Sequence, residues 1–110
     1  MITVTIYQRC NNQHKEIIGY EMKGHAGYAE SGFDIYCSAV SVLAITTANS
    51  LEQIAHVSIK EKESDGYLKI QITDEPNEAS QLLLQSMILG LKGILNDNGK
   101  KFLKVNFEEV

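Results

Sequence analysis

The chain has no tryptophan, one proline, two cysteines, and no apolar run approaching the roughly 20 residues of a membrane span. Its cysteines, Cys10 and Cys37, are far apart and form no Cys-x-x-Cys, and no histidine stands at a zinc-like spacing from either. That pattern argues against a disulfide framework and a structural metal site. Basic residues are also scarce, ten against fourteen acidic ones, for a net charge of −4. Affinity resting on phosphate neutralisation is therefore not expected, and direct nucleic-acid binding with it. The first residues, Met1 to Ile6, alternate like a strand and provide no signal-peptide core, so no membrane association is expected. The expected location is the cytoplasm, where both thiols stay reduced.

What remains is an ordinary globular composition, 44% hydrophobic and 22% charged, over 110 residues. One domain of about 13 Å radius of gyration accommodates it. Ile2 to Tyr7 alternates, Arg9 to Gln13 is polar and turn-like, and Glu16 to Lys23 alternates again with Ile18, Tyr20 and Met22 on one face, which predicts a hairpin. From Ile35 to about His56 the period becomes helical, with Val40, Leu43, Thr47, Leu51 and Ile54 in one stripe and Val42 and Ile45 broadening it.

Val57 to Glu61 and Tyr67 to Thr73 flank Ser64-Asp65-Gly66 as a second hairpin with Leu68, Ile70 and Ile72 inward. Thr73-Asp74-Glu75 before Pro76 suits a helix start, and Ala79, Leu82, Leu83, Met87, Leu91, Ile94 and Leu95 recur at helical spacing until Asn96-Asp97-Asn98-Gly99. Leu103, Val105 and Phe107 alternate as a last strand. The order ββαββαβ predicts an α+β domain, a mostly antiparallel five-stranded sheet with two helices packed on one face.

Between the first hairpin and the first helix, Gly24 to Phe33 holds three glycines, Gly24, Gly27 and Gly32, and no aliphatic residue larger than alanine. Such a stretch builds no packed face, and loops of this length often carry function. A histidine, His25, opens it, and Cys37 follows its far end. With Asp34 as N-cap, Cys37 falls in the first helical turn, where free amides and the positive end of the dipole favour a thiolate.

His25 can reach Cys37 by chain length, but spacing alone also fits a small buried cysteine and a histidine that merely ends a strand. Asp34 would favour the protonated form of His25 while opposing the thiolate, so capping alone also accounts for it. Ser41, one turn after Cys37, can hydrogen-bond the histidine or a substrate, or simply let the helix pack closely. His14, His56 and Cys10 read as neutral positions. The loop carries Glu30 and Asp34 but no Lys or Arg after Lys23, which disfavours a phosphate site at the helix start.

At these residues the chain resembles the ribosomal-processing cysteine protease family. Gly24-His25-Ala26, then Gly32-Phe33-Asp34-Ile35-Tyr36-Cys37, then Ser41 match its pattern, and length and element order agree. Tyr36 stands where the family usually has a small β-branched residue, and Ser38 where alanine is common. The resemblance implies a cysteine endopeptidase with Cys37 as nucleophile, His25 as general base and acid, Asp34 and Ser41 in support, and no metal or cofactor.

It also implies a loop at Gly24, Gly27 and Gly32 that closes over substrate, and a homodimer. The implied substrate is the N-terminal extension of large-subunit ribosomal protein twenty-seven, a basic partner for an acidic enzyme. The competing expectations are a module that binds the ribosomal protein or peptide without cutting it, and a small-molecule thiol or redox-sensing domain.

Overall fold

The computed structural model describes residues 1–24, 33–97 and 99–110, with Phe33 and Asp34 described by backbone alone. Strands β1 (Ile2–Asn11) and β2 (His14–Lys23) form a long hairpin. Its turn is only Asn12 and Gln13, at φ 51° and 68°. Two consecutive left-handed residues match the twist of the flanking strands, so Arg9, Cys10 and Asn11 stay extended and pair with Glu16, Lys15 and His14. The polar stretch expected as a turn is therefore mostly strand.

Helix α1 (Phe33–Gln53), strands β3 (Ile59–Ser64) and β4 (Tyr67–Ile72), helix α2 (Glu78–Asn96) and strand β5 (Leu103–Glu109) follow, with a short 3-10 turn at Gly99–Lys101. The sheet order is β3-β4-β2-β1-β5. Every pairing is antiparallel except β1 with β5. The ββαββαβ order and the mostly antiparallel five-stranded sheet are those the sequence predicts.

Val4, Met22 and Leu68 align across three strands, as do Ile6, Tyr20 and Ile70 in the next inward row. Beyond that row β2 departs from simple alternation. Tyr7 pairs with Gly19 but Gln8 with Ile17, so Ile18 is an extra residue that shifts the phase. Ile17 is buried in place of the expected Ile18. Gln81 of α2 fastens the irregularity, its side-chain oxygen accepting from the Ile17 amide at 2.8 Å and its nitrogen donating to the Ile17 carbonyl at 2.9 Å.

Helix α1 buries Val40, Ala44, Thr47, Ala48 and Leu51, and Ala55 just past its end is buried too. Its small residues let it approach the sheet closely enough for the Tyr20 hydroxyl to donate to the Ala44 carbonyl at 2.6 Å. Ile54, Val42 and Ile45, expected in the core stripe, are exposed. At the end of the helix His56 takes φ 56°, and the Val57 amide bonds back to the Leu51 carbonyl. The chain needs this reversal before it can extend, so β3 begins at Ile59, two residues later than the alternation suggests.

Asn77, not the residues before Pro76, caps α2. Its side chain accepts from the Ser80 amide, and the Ser80 hydroxyl accepts from the Asn77 amide. Asp74 instead accepts from the Ser58 amide at the entry to β3. Ser80, Leu84, Met87, Ile88 and Leu91 form the buried face, whereas Leu82 is exposed. Both helices share one core with the inner sheet face, and α1 meets α2 where Gly90 leaves room for the Leu43 side chain.

Candidate active site

The start of α1 meets the end of β2 and the turn between β3 and β4 at one edge of the molecule. Their meeting leaves an open groove of about 900 Å³, lined by Met22 and Gly24 from the end of β2, Cys37, Ser41 and Ile45 from α1, and Glu63 to Leu68 around the β3–β4 turn. Cys37, Ser41 and Ile45 recur every four residues, which puts them in one row along the helix.

Cys37 is a free thiol of intermediate exposure whose inner side packs against the core. Helix α1 starts at Phe33, two residues earlier than a cap at Asp34 requires. Asp34 is thus a residue of the first turn, and Cys37 follows that turn. The amides without an intrahelical acceptor are those of the first four residues. Because a helical Cα–Cβ bond tilts toward the N-terminus, Cys37 leans back toward them and toward the positive end of the helix.

Two contacts of Tyr36 fix this part of α1. Its ring stacks on Phe102, centroids 5.0 Å apart and planes 20° from parallel. Its hydroxyl donates to the Asp97 carbonyl at 2.9 Å. The residue that departs from the family pattern thereby ties the turn before the thiol to the segment after α2. Phe102 is itself joined to the sheet, its carbonyl accepting from the Ile2 amide at 2.7 Å.

Gly24 stands on the same support. Its amide donates to the Gly66 carbonyl at 3.0 Å, and its φ of +152° brings it so close to the backbone of Met1 and Ile2 that an added Cβ would lie 2.8 Å from atoms of both. The freedom expected of this glycine is used here for a fixed close approach at the end of β2.

The placement of His25, Gly27 and Gly32, and of the Asp34 carboxylate, lies outside the described residues. Gly24, the residue before His25 in the chain, lines the groove that also holds Cys37 and Ser41. The other histidines are elsewhere, His14 opposite Asn11 at the tip of the first hairpin and His56 beyond the end of α1. Cys10 is exposed near the same hairpin tip.

The groove lining beyond Cys37 and Ser41 is not legible in the sequence. Ile45 read as core because a helical apolar stripe looks the same whether it faces a sheet or a cleft. The signal available was its spacing, eight residues after Cys37 on the same helical row. The Asp65-Gly66 turn was legible as a turn, but its proximity to α1 depends on tertiary structure.

A free thiol near a helix start in an open groove suits acyl transfer from an extended peptide. The family model for cysteine protease Prp matches residues 1–103. The chain belongs to the Prp cysteine protease family.

The ribosomal processing cysteine protease Prp of Bacillus subtilis is 30% identical over 103 residues, covering 88% of this chain and 89% of that one. The crystal structure of the essential ribosomal processing protease Prp from Staphylococcus aureus with a substrate peptide superposes with a TM-score of 0.84 at 26% identity, covering 98% of this chain and all of that one. A second structure of the Staphylococcus aureus protease carries a covalently linked product peptide, with a TM-score of 0.80 at 26% identity and the same coverage. Membership in Prp makes this chain a cysteine protease.

Proposed function

We propose that this Prp protease removes the N-terminal extension of large-subunit ribosomal protein twenty-seven, with Cys37 as nucleophile and His25 as its base. The observation that carries the assignment is the groove itself, in which the only cysteine among its lining residues lies beside the start of α1. A relative of the same fold takes a substrate peptide and holds a covalently linked product.

His25 takes the thiol proton as the Cys37 sulfur attacks the carbonyl carbon of the scissile bond. The negative charge that develops on the carbonyl oxygen is met by amides at the start of α1, whose donors point at the groove end of the helix. On collapse, the C–N bond breaks, the amine leaves with the proton from His25, and the acyl group remains on Cys37 as a thioester. Water, deprotonated by His25, attacks the thioester, and the thiol is regenerated. Ser41, one turn along the groove, hydrogen-bonds the peptide, and Asp34 favours the protonated imidazole during the first step. No metal or cofactor takes part.

The enzyme works as a homodimer in the cytoplasm, without a direct nucleic-acid partner. A synthetic peptide spanning the extension and the first mature residues tests the assignment. Wild-type protein cleaves it at one bond, and Cys37→Ala binds it without cleaving it. Turnover at the wild-type rate in Cys37→Ala overturns the role of the thiol.

A further inference from the structure

We propose that Ile45 is a specificity-determining residue, the wall of an apolar subsite that accepts an aliphatic or aromatic side chain three or four residues from the scissile bond. The inference deepens the reading of Cys37 as the nucleophile of a peptide-cleaving groove and rests on it.

Ile45 is 51% exposed although it is a large aliphatic residue on a helix that buries its smaller neighbours Ala44 and Ala48. Val42 and Ile35 on the same helix are also exposed, but only Ile45 lines the groove. Met22 and Leu68, paired directly on β2 and β4 on the inner face of the sheet, line the same groove. Three apolar side chains from three elements thus line one cleft.

Eight residues separate Ile45 from Cys37, about 12 Å along the helix at 1.5 Å per residue. An extended peptide advances about 3.3 Å per residue, so a chain lying along α1 with its scissile carbonyl at Cys37 passes Ile45 three to four residues away. Ser41, midway, offers a hydroxyl to the intervening stretch. The order along the groove is therefore nucleophile, polar contact, apolar pocket. Such a pocket rejects a charged side chain, which would lose its hydration without gaining a partner.

The test uses the full-length protein and a set of cleavable peptides in which glutamate replaces one residue at a time. For wild type, glutamate three or four residues from the cleaved bond raises KM at least tenfold, with a smaller effect on kcat. Ile45→Lys raises KM for the parent peptide and removes most of the penalty for that one glutamate peptide. Ile45→Thr, β-branched like isoleucine but shorter and carrying a hydroxyl, raises KM for the parent peptide without the preference for glutamate. Thermal melting of both variants stays near that of wild type, because the side chain is half exposed.

The same KM profile in wild type, Ile45→Lys and Ile45→Thr overturns the subsite while leaving the protease reading intact. Failure of wild type to cleave any peptide of the set overturns both.

Discussion

Tyr20 shows how one side chain can hold a helix against a sheet. Its ring is fully buried, and its hydroxyl reaches the Ala44 carbonyl. Burial pushes its phenol far above the ordinary 10.0, the charge of Glu61 adds to this, and the Ala48 amide opposes it. Below pH 10 both folded and unfolded chains keep the proton, and the stabilisation is complete. Above that, the unfolded chain releases its proton while the folded one retains it, so stability falls as pH rises. Tyr20→Phe is expected to lower the unfolding free energy by about 1 kcal/mol at neutral pH. Urea titrations across the alkaline range should show that deficit shrinking above pH 10, and a deficit independent of pH there would contradict the account.

Gly19 provides a second test at the residue scale. A Cβ there would lie 2.4 Å from the Ile70 carbonyl oxygen, a backbone atom of the neighbouring strand. Gly19→Ala must move β4 away from β2, at a cost of about 1–3 kcal/mol. A denaturation midpoint equal to wild type would show that the strands yield freely.

Among the elements, α1 carries Cys37, the proposed nucleophile, and what holds its first part is Tyr36. Removing the hydroxyl in Tyr36→Phe keeps the stack on Phe102 and loses one exposed hydrogen bond, whereas Tyr36→Ala loses both contacts. Tyr36→Phe is expected to retain kcat within about threefold, a cost of under 1 kcal/mol. Tyr36→Ala should lower kcat about tenfold or more with little change in KM, because a misplaced nucleophile harms the chemical step more than peptide binding. Equal kcat in all three proteins would remove Tyr36 from any positioning role.

The elements also show where sequence patterns inform and where they stop. Period alone identifies both helices and the alternating strands, and with them the element order ββαββαβ, because burial of one face dictates that period. It misread β2, since the extra residue at Ile18 exchanges the faces of Ile17 and Ile18 and local sequence does not announce the bulge. It misread Ile45 and Leu82, since apolar spacing does not say which neighbour will cover a side chain. At the candidate site the spacing of Cys37 and Ser41 was legible because one helix carries both. The wall at Met22 and Leu68 was not, because it depends on β4 pairing with β2 across a long stretch of chain.

For the whole molecule, the radius of gyration is 13.8 Å, close to the size expected for one domain of this length. A groove at one edge, built from α1, β2 and the β3–β4 turn, is sufficient for a protease that reads an extended segment rather than a folded surface. The turn beside Cys37 brings Glu63 and Asp65 to the groove, in a chain whose net charge is −4. With a basic precursor as substrate, kcat/KM should fall several-fold as salt rises from 0.05 to 0.5 M, while kcat changes little. A salt-independent kcat/KM would remove charge attraction from the account of how the two meet.

The central claim is that peptide cleavage passes through an acyl bond to Cys37. Acid quenching during turnover, followed by mass spectrometry of the digested protein, measures this most directly. The Cys37-containing fragment is expected to gain the mass of the N-terminal cleavage product less one water, and Cys37→Ala to show neither adduct nor cleavage. Cleavage by wild type with no adduct on Cys37, together with undiminished cleavage by Cys37→Ala, would contradict it.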